Sequence, residues 1–473
     1  MIGRKRERDD LIRLFDSRES EFVALYGRRR VGKTYLVRET FEGRFSFCHT
    51  GKSGGGTRAQ LAHFGKSLSE WGVGGHASPK SWDEAFDGLK KVVLASKLPK
   101  KVLFIDEMPW MDTPRSGCLS ALESFWNEWA SARKDILLIV CGSAASWMVR
   151  NLFRNRRGLH NRVTARIRLM PFTLGECEKY AEDQGLAMSR GDVAEGYMVF
   201  GGIPYYWHCL KPGLSLSQNV DAMFFAENAP LRGEFAEIYK SLFGRAEAYE
   251  KVVAALAGRQ SGMTRSDIVA AVGRGIAGNL TTVLDNLECS GFTRRFRAMG
   301  KRKRDAFYQL TDNFSLFHFR FLGGRTDDPA FWQSTAQTPA RSAWKGVAFE
   351  RLCLQHLRQI RAALGVSGVN VEAYAWRHTP DDTFPEGAQI DLLLDRSDNV
   401  VNVCEAKYSS DIYAIDAKTE KSLMRKLAVF VGTAGTRKAV HLTMLTAFGL
   451  MRNAHSGRVQ SVVTLDDLFR DMP

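Results

Sequence analysis

Along the first 170 residues, wholly apolar runs alternate with stretches of helical period. Phe22-Val23-Ala24-Leu25-Tyr26, Val102-Leu103-Phe104-Ile105 and Ile136-Leu137-Leu138-Ile139-Val140-Cys141 contain no polar alternation. Each predicts a strand covered on both faces, as in a parallel sheet. A further strand is expected near 44–48, and helices near 4–15, 35–41, 58–71 and 81–96, the last opening on a Ser cap. Strand and helix in repeated succession predict an α/β fold. Beyond Pro171 the pattern shifts to short helices, near 173–184, 189–200 and 216–227, broken at Gly201-Gly202-Ile203-Pro204. A new unit begins near Tyr249, with helices at 264–269 and 279–287 separated by a glycine-containing turn and followed by strands at 292–298 and 306–310. A linker-like stretch from Gly323 to about Pro339 precedes a helix at 344–363 and two strands, 387–394 and 400–407.

Length and composition narrow the class. A chain of 473 residues predicts three or four domains, and 44% hydrophobic with 25% charged residues is a globular balance. The longest apolar stretch, 136–149, is interrupted by Gly142, Ser143 and Ser146, so no membrane span is expected. The charged N-terminus leads into no apolar segment, so no secretory signal is expected. Eight cysteines stand singly with no C-x-x-C pair, which predicts reduced thiols and a cytoplasmic location. A net charge of +15 favours a polyanionic partner, but the place of that charge matters more than its total.

The strongest chemical signal is Gly27-Arg28-Arg29-Arg30-Val31-Gly32-Lys33-Thr34, which fits G-x-x-x-x-G-K-T between a predicted strand and a predicted helix. In that setting backbone N–H groups wrap phosphates, Lys33 reaches the β and γ oxygens, and Thr34 can ligate Mg²⁺, so ATP and Mg²⁺ are the expected ligands. The competing reading is a chance glycine turn. Asp106-Glu107 ends an apolar strand, where α/β sheets place ligand chemistry. Asp106 is suited to hold Mg²⁺ through water, and Glu107 to polarise an attacking water. Gly142-Ser143 ends another such strand, and the Ser143 hydroxyl either touches the γ-phosphate or water, or merely closes a turn. Arginines 154, 156, 157, 162, 166 and 168 crowd the next segment; one can stabilise transition-state charge, while the rest are solvated or bind phosphate backbone.

Two further clusters bear on a partner and an output. Arg294, Arg295, Arg297, Lys301, Arg302, Lys303 and Arg304 make seven of the eleven residues at 294–304 basic, across the turn of the expected hairpin. A cationic hairpin beside a helix pair can grip DNA phosphates; the alternative is a regulatory module with a solvated turn. In the C-terminal part, a hairpin centred near Asp398 makes Asp391 and Glu405 cross-strand partners, with Gln389 beside Asp391 and Lys407 sharing a face with Glu405. Glu350 can approach from the preceding helix. Such a cluster can hold Mg²⁺ and activate water against a phosphodiester, or be a surface ion-pair hairpin.

Ile2-Gly3-Arg4, the 27–34 loop, Asp106-Glu107, Gly142-Ser143, Leu169-Met170-Pro171-Phe172 and Gly201-Gly202-Ile203-Pro204-Tyr205 together resemble a prokaryotic AAA+-type P-loop ATPase with a winged helix and a nuclease-like C-terminal domain. Asp391-x13-Glu405-x-Lys407 with upstream Glu350 resembles a PD-(D/E)XK site, with Ile390 where proline is common. The resemblance implies a P-loop NTPase three-layer sandwich at 1–170, a helical lid at 171–245, a winged helix at 246–322, a linker at 323–340, and an α/β nuclease-like domain at 341–473. It implies that Ile2, Gly3 and Arg4 help to bind nucleotide, and that the acid strand and the phosphate-loop strand are adjacent. It makes Arg162, within His160-Asn161-Arg162, the candidate arginine finger, in cis or from a second copy in a homo-oligomer. The function so implied is an ATPase acting on DNA. The alternative is a nucleotide-switched DNA-binding or regulatory protein with an inactive nuclease-like domain.

Overall fold

A computed structural model describes residues 1–72, 78–154, 159, 161–243, 246–297, 299, 306–324 and 328–472. The chain divides into two compact units, Met1–Pro171 and Phe172–Pro473. Among the described residues no helix is long and apolar enough to cross a membrane, and all eight cysteines are free thiols.

The first unit is built on five parallel strands, β1 (Glu21–Gly27), β2 (Phe45–Thr50), β3 (Lys101–Asp106), β4 (Ile136–Gly142) and β5 (Ala165–Leu169), in the order β2-β3-β4-β1-β5. All seven positions of β4 are buried, the continuous pattern of a strand covered on both faces. Phe22, Ala24, Leu103, Ile105, Leu138 and Val140 pack into one core with Phe64, Trp82 and Phe86 from helices Thr57–Glu70 and Trp82–Ala95. Alternate residues Val23, Leu25, Val102, Phe104, Leu137 and Ile139 are also buried, which completes a three-layer unit. The acid strand and the phosphate-loop strand are not neighbours, contrary to the expectation: β4 pairs with both and separates them. β4, the most apolar of the strands, occupies the centre of the sheet, where both faces and both edges are covered.

The second unit opens with helices Leu174–Asp183, Arg190–Phe200 and Leu216–Val220, each started by a Ser or Thr whose side chain and N3 residue cap one another. Helices Ala246–Ala257, Arg265–Val272 and Leu280–Cys289 follow, with an antiparallel sheet of β6 (Met263–Thr264), β7 (Thr293–Phe296) and β8 (Phe307–Leu310) in the order β6-β8-β7. The last part carries helix Pro339–Gln355 and a second five-stranded sheet. Its strands are β9 (Val371–His378), β10 (Ala388–Arg396), β11 (Val400–Lys407), β12 (Ala439–Thr446) and β13 (Val459–Thr464), in the order β13-β12-β11-β10-β9. β9 to β11 pair antiparallel and β11 to β13 parallel.

The four divisions expected beyond the first unit all fall inside this second unit. The stretch expected as a linker is not a free tether. It contains helix Phe331–Ser334, whose Trp332 is fully buried and donates its backbone N–H to Asp221 Oδ1 at 2.7 Å. Trp332 packs on Phe317 (5.0 Å between ring centroids) and on Trp344 (5.3 Å). Buried Arg341 donates from Nη2 to Glu195 Oε1 (2.6 Å) and from Nη1 to the Trp332 carbonyl (3.2 Å), so its charge is paired on burial. Aromatic packing and one internal ion pair therefore close the segment into the unit.

His356 sits at the break between helices Pro339–Gln355 and Leu357–Ala363. Its Nε2 accepts from the Leu174 backbone N–H at 3.2 Å, and its Nδ1 lies 2.8 Å from the Leu352 carbonyl. Only the neutral ring with hydrogen on Nδ1 satisfies both contacts. Burial lowers its pKa to about 4, outweighing the carbonyl that raises it. Below about 6.5 the unfolded chain takes up a proton that the folded chain does not until about 4, so stability rises with pH across that window. Acidification from pH 7 to 4 should remove up to about 3 kcal/mol through this residue, and His356→Gln should flatten that part of the profile in urea unfolding.

Candidate functional site

The first cluster forms where β1, β3 and β4 end together. Gly27, the last residue of β1, is in register with Leu169 of β5, and a Cβ at position 27 would lie 2.3 Å from the Leu169 carbonyl oxygen. Only glycine fits that approach. Gly32, with φ of 89°, turns the chain from the loop into helix Lys33–Thr40 through a left-handed conformation. Arg4, at the start of helix Lys5–Phe15, is buried and donates from Nη2 to the Val31 carbonyl at 3.1 Å. The Ile2-Gly3-Arg4 segment thus braces the loop from outside, with Gly3 and Arg4 both at positive φ.

Lys33 is almost fully buried, and its ammonium donates to the Gly27 carbonyl (3.0 Å), the Arg28 carbonyl (2.8 Å) and Ser143 Oγ (3.1 Å). Ser143 Oγ in turn donates to Glu107 Oε1 at 2.5 Å, and the Ser143 backbone N–H donates to Glu107 Oε2 at 3.0 Å. Glu107 stands at a φ of 49°, a left-handed conformation uncommon for a side-chain-bearing residue, directly after β3. Thr34 Oγ1 donates to Asp106 Oδ2 at 2.6 Å, and the Glu107 backbone N–H donates to Asp106 Oδ1 at 2.9 Å. The intervening β4 is what supplies Ser143 between the loop lysine and the second acid. Arg28 is buried, and Arg29 and Arg30 are partly buried in the loop.

The arginine cluster divides along β5. Arg162 is exposed on the turn ahead of that strand, and the strand runs parallel to β1 with Leu169 beside Gly27. Arg162 therefore lies toward the amino end of β5, seven residues before Leu169, whereas the loop follows the carboxyl end of β1. This corrects the expectation that it can act on its own chain's loop. Arg168, in register with Tyr26, is the arginine nearest the loop among 162, 166 and 168.

The second cluster lies in the C-terminal sheet. Leu392 pairs with Cys404 and Asp395 with Val401, the register of a hairpin centred at position 398. Glu350, Asp391 and Glu405 line one cavity of about 20 Å³, room for a single water-sized species, with Cys353 and Cys404 in its wall. Burial raises the Glu350 carboxyl to about 7, and the charges of Asp391 and Glu405 push the same way. Gln389 Nε2 donates to Asp391 Oδ1 at 2.7 Å. Glu405 is already engaged on both oxygens, by Lys407 Nζ (3.0 Å) and Lys426 Nζ (2.7 Å). Burial raises its pKa, but these two ammonium groups outweigh it and hold the carboxyl below its ordinary range. Among the described residues no group of three or more His, Cys, Asp or Glu is arranged to hold a metal ion. Both Glu405 oxygens are paired to cations, so a divalent ion at this donor set would have to displace at least one of the two lysines. Lys426, from helix Ala417–Thr433, was not singled out by sequence, because nothing local marks which lysine of that helix faces the sheet.

The basic run is only partly at the surface. Arg294 turns inward, its Nε donating to Gln309 Oε1 at 2.6 Å, so it is not free to contact DNA as expected. Arg295 is exposed and lies 4.0 Å from Glu288, and Arg297 is exposed. Lys301, Arg302, Lys303 and Arg304 lie outside the described residues. Helix Leu280–Cys289 carries Asp285 and Glu288 and no basic residue.

No family model matches the chain. An uncharacterized protein of Methanocaldococcus jannaschii is 25% identical over 323 residues, 68% of this chain and 68% of that protein. Among solved structures, the Walker-type ATPase of Pyrococcus abyssi is similar at 17% identity and a TM-score of 0.48, over 68% of this chain and 96% of that one. The ORC2 protein of Aeropyrum pernix is similar at 13% identity and a TM-score of 0.42, over 72% of this chain and 96% of that one. The central parallel sheet carries its glycine loop between β1 and a helix and its acids at the end of β3. The chemistry of the site rests on its own residues.

The close approach at position 27 has a direct consequence. Gly27→Ala should displace β5 or the loop and lower the stability of the first unit by on the order of 2 kcal/mol, read as a fall in thermal unfolding temperature. Gly43→Ala, at an open position outside the site, is the control for a positive-φ glycine with free space.

Proposed function

We propose that this chain binds and hydrolyses ATP with Mg²⁺, and that turnover changes how its second unit engages DNA. The observation that carries the reading is the bonded series Lys33–Ser143–Glu107, with Thr34 on Asp106 beside it. Lys33 supplies the positive charge for phosphate oxygens, and the backbone N–H groups of 28–34 supply the wrap. Thr34 and Asp106 present two hard oxygen donors side by side, the type of set Mg²⁺ takes. Bound there, Mg²⁺ would neutralise charge on the transferred phosphoryl group. Glu107 is the candidate to orient the attacking water, held in place by both the hydroxyl and the N–H of Ser143. Arg4 keeps the loop in shape, with Ile2 and Gly3 leading into it.

The helices and hairpin of 246–310 have the order of a winged helix, and the charge at 295–304 supports DNA as its partner. Contact is assigned to the hairpin and its flanks, because helix Leu280–Cys289 offers acids and no cation to a phosphate backbone. For the C-terminal cluster we favour binding over cleavage, because two lysines occupy Glu405. The second reading is a metal-dependent nuclease, favoured by the convergence of Glu350, Asp391 and Glu405 on one cavity.

Lys33→Ala should abolish tight ATP binding in equilibrium titration. Glu107→Gln should bind ATP but turn it over at least about 100-fold more slowly; normal turnover in both would remove the ATPase assignment. Linear and circular DNA incubated with Mg²⁺ or Mn²⁺, with and without ATP, should remain uncut. Cleavage that is lost in Asp391→Ala would establish the nuclease reading instead.

A further inference from the structure

Helix Ala417–Thr433 lies on the C-terminal sheet through an apolar stripe. Val429 and Phe430 pack in one core with Ile390, Val401 and Val403. Leu423 packs with Leu442 and Met444, and Met444 is in register with Glu405. Lys426 is on the same stripe, three positions after Leu423 and four before Phe430. A lysine at such a position loses hydration unless it meets an acceptor. It meets Glu405: Lys426 Nζ donates to Oε2 at 2.7 Å, with the lysine side chain 20% exposed and the carboxylate 13%.

Lys407 takes the other Glu405 oxygen on different terms. It stands two residues along the same strand, and its side chain is 36% exposed, so water can replace its carboxylate partner at little cost. At the other acid of the hairpin, the charge of Asp391 favours the charged forms of buried Arg351 and partly buried Arg294. Glu350, Asp391 and Glu405 are thus met by Lys407, Lys426, Arg294 and Arg351. Hard divalent ions are held by carboxylates whose charge they neutralise. Here the neutralising charge is already part of the chain.

We propose that Lys426 is the resident counter-ion of the Glu350–Asp391–Glu405 cluster: it holds Glu405 Oε2 in place of a divalent cation, which binds there only when this ammonium is withdrawn. Lys426 rather than Lys407 sets that threshold. Its bond is the shorter and its side chain the more enclosed. Its helix is fixed to the sheet by Leu423, Val429 and Phe430, so displacing the ammonium strands a charge on an apolar stripe. The inference rests on the reading that this cluster does not cleave, and it names the residue that keeps it so.

The test titrates the full chain with Mn²⁺ in the absence of nucleotide, reading free Mn²⁺ by electron paramagnetic resonance. An Asp106→Asn background removes the metal donor of the first unit, and binding lost on adding Asp391→Ala is assigned to the cluster. The background protein should show no such binding. Lys426→Met should gain it, with affinity raised at least about tenfold, whereas Lys426→Arg should behave as the background does. Lys407→Met should gain less, and Lys421→Met, an exposed lysine of the same helix, should change affinity by less than about threefold. Lys426→Gln, which keeps a polar head on the stripe, repeats the measurement if circular dichroism shows that the Met variant is unfolded. Asp391-dependent binding before Lys426 is changed, no gain in a folded Lys426 variant, or equal gains from all three lysines overturns the counter-ion. If DNA stays uncut, the binding reading survives that failure; Asp391-dependent cleavage by the unmodified chain overturns both.

Discussion

The buried ammonium of Lys33 is the constraint from which the first unit follows. A cation this enclosed must be surrounded by acceptors, and the chain provides two loop carbonyls and one hydroxyl. The carbonyls are in range because the loop turns through Gly32, and because Gly27 lets the end of β5 lie against it. The hydroxyl is in range because β4 runs between the loop strand and the acid strand. Strand order, glycine positions and the acid pair are therefore three parts of one solution to holding a charge out of water.

The second unit meets the same demand differently. Arg341 is fully buried between aromatic rings and paired with Glu195. Arg351 is buried beside a backbone carbonyl and a second arginine, with carboxylates nearby. The first arrangement ties helices together; the second sets a buried cation beside Asp391 and Glu350, which favour its charged form.

Local pattern carried the first unit well. The unbroken apolar runs became strands buried on both faces, and the glycine loop lies between β1 and the helix at Lys33–Thr40. Hairpin geometry was equally legible at 392–404, because a short turn and period-two alternation leave only one register. What escaped was set by contacts distant in sequence. No local signal distinguishes a sheet with β4 inserted from one without it. β9, β12, β13 and the helix bearing Lys426 lack motifs, so the partners of Glu405 were invisible. The 323–340 segment read as a linker because glycine and aspartate open it, whereas Trp332 decides its fate by burial against Phe317 and Trp344.

A serine hydroxyl has one hydrogen to donate. In this structure Ser143 gives it to Glu107 while accepting from Lys33. Any new acceptor that draws that hydrogen away leaves Glu107 held by the Ser143 amide alone. The freedom of the carboxylate is thus a record of what else the hydroxyl touches.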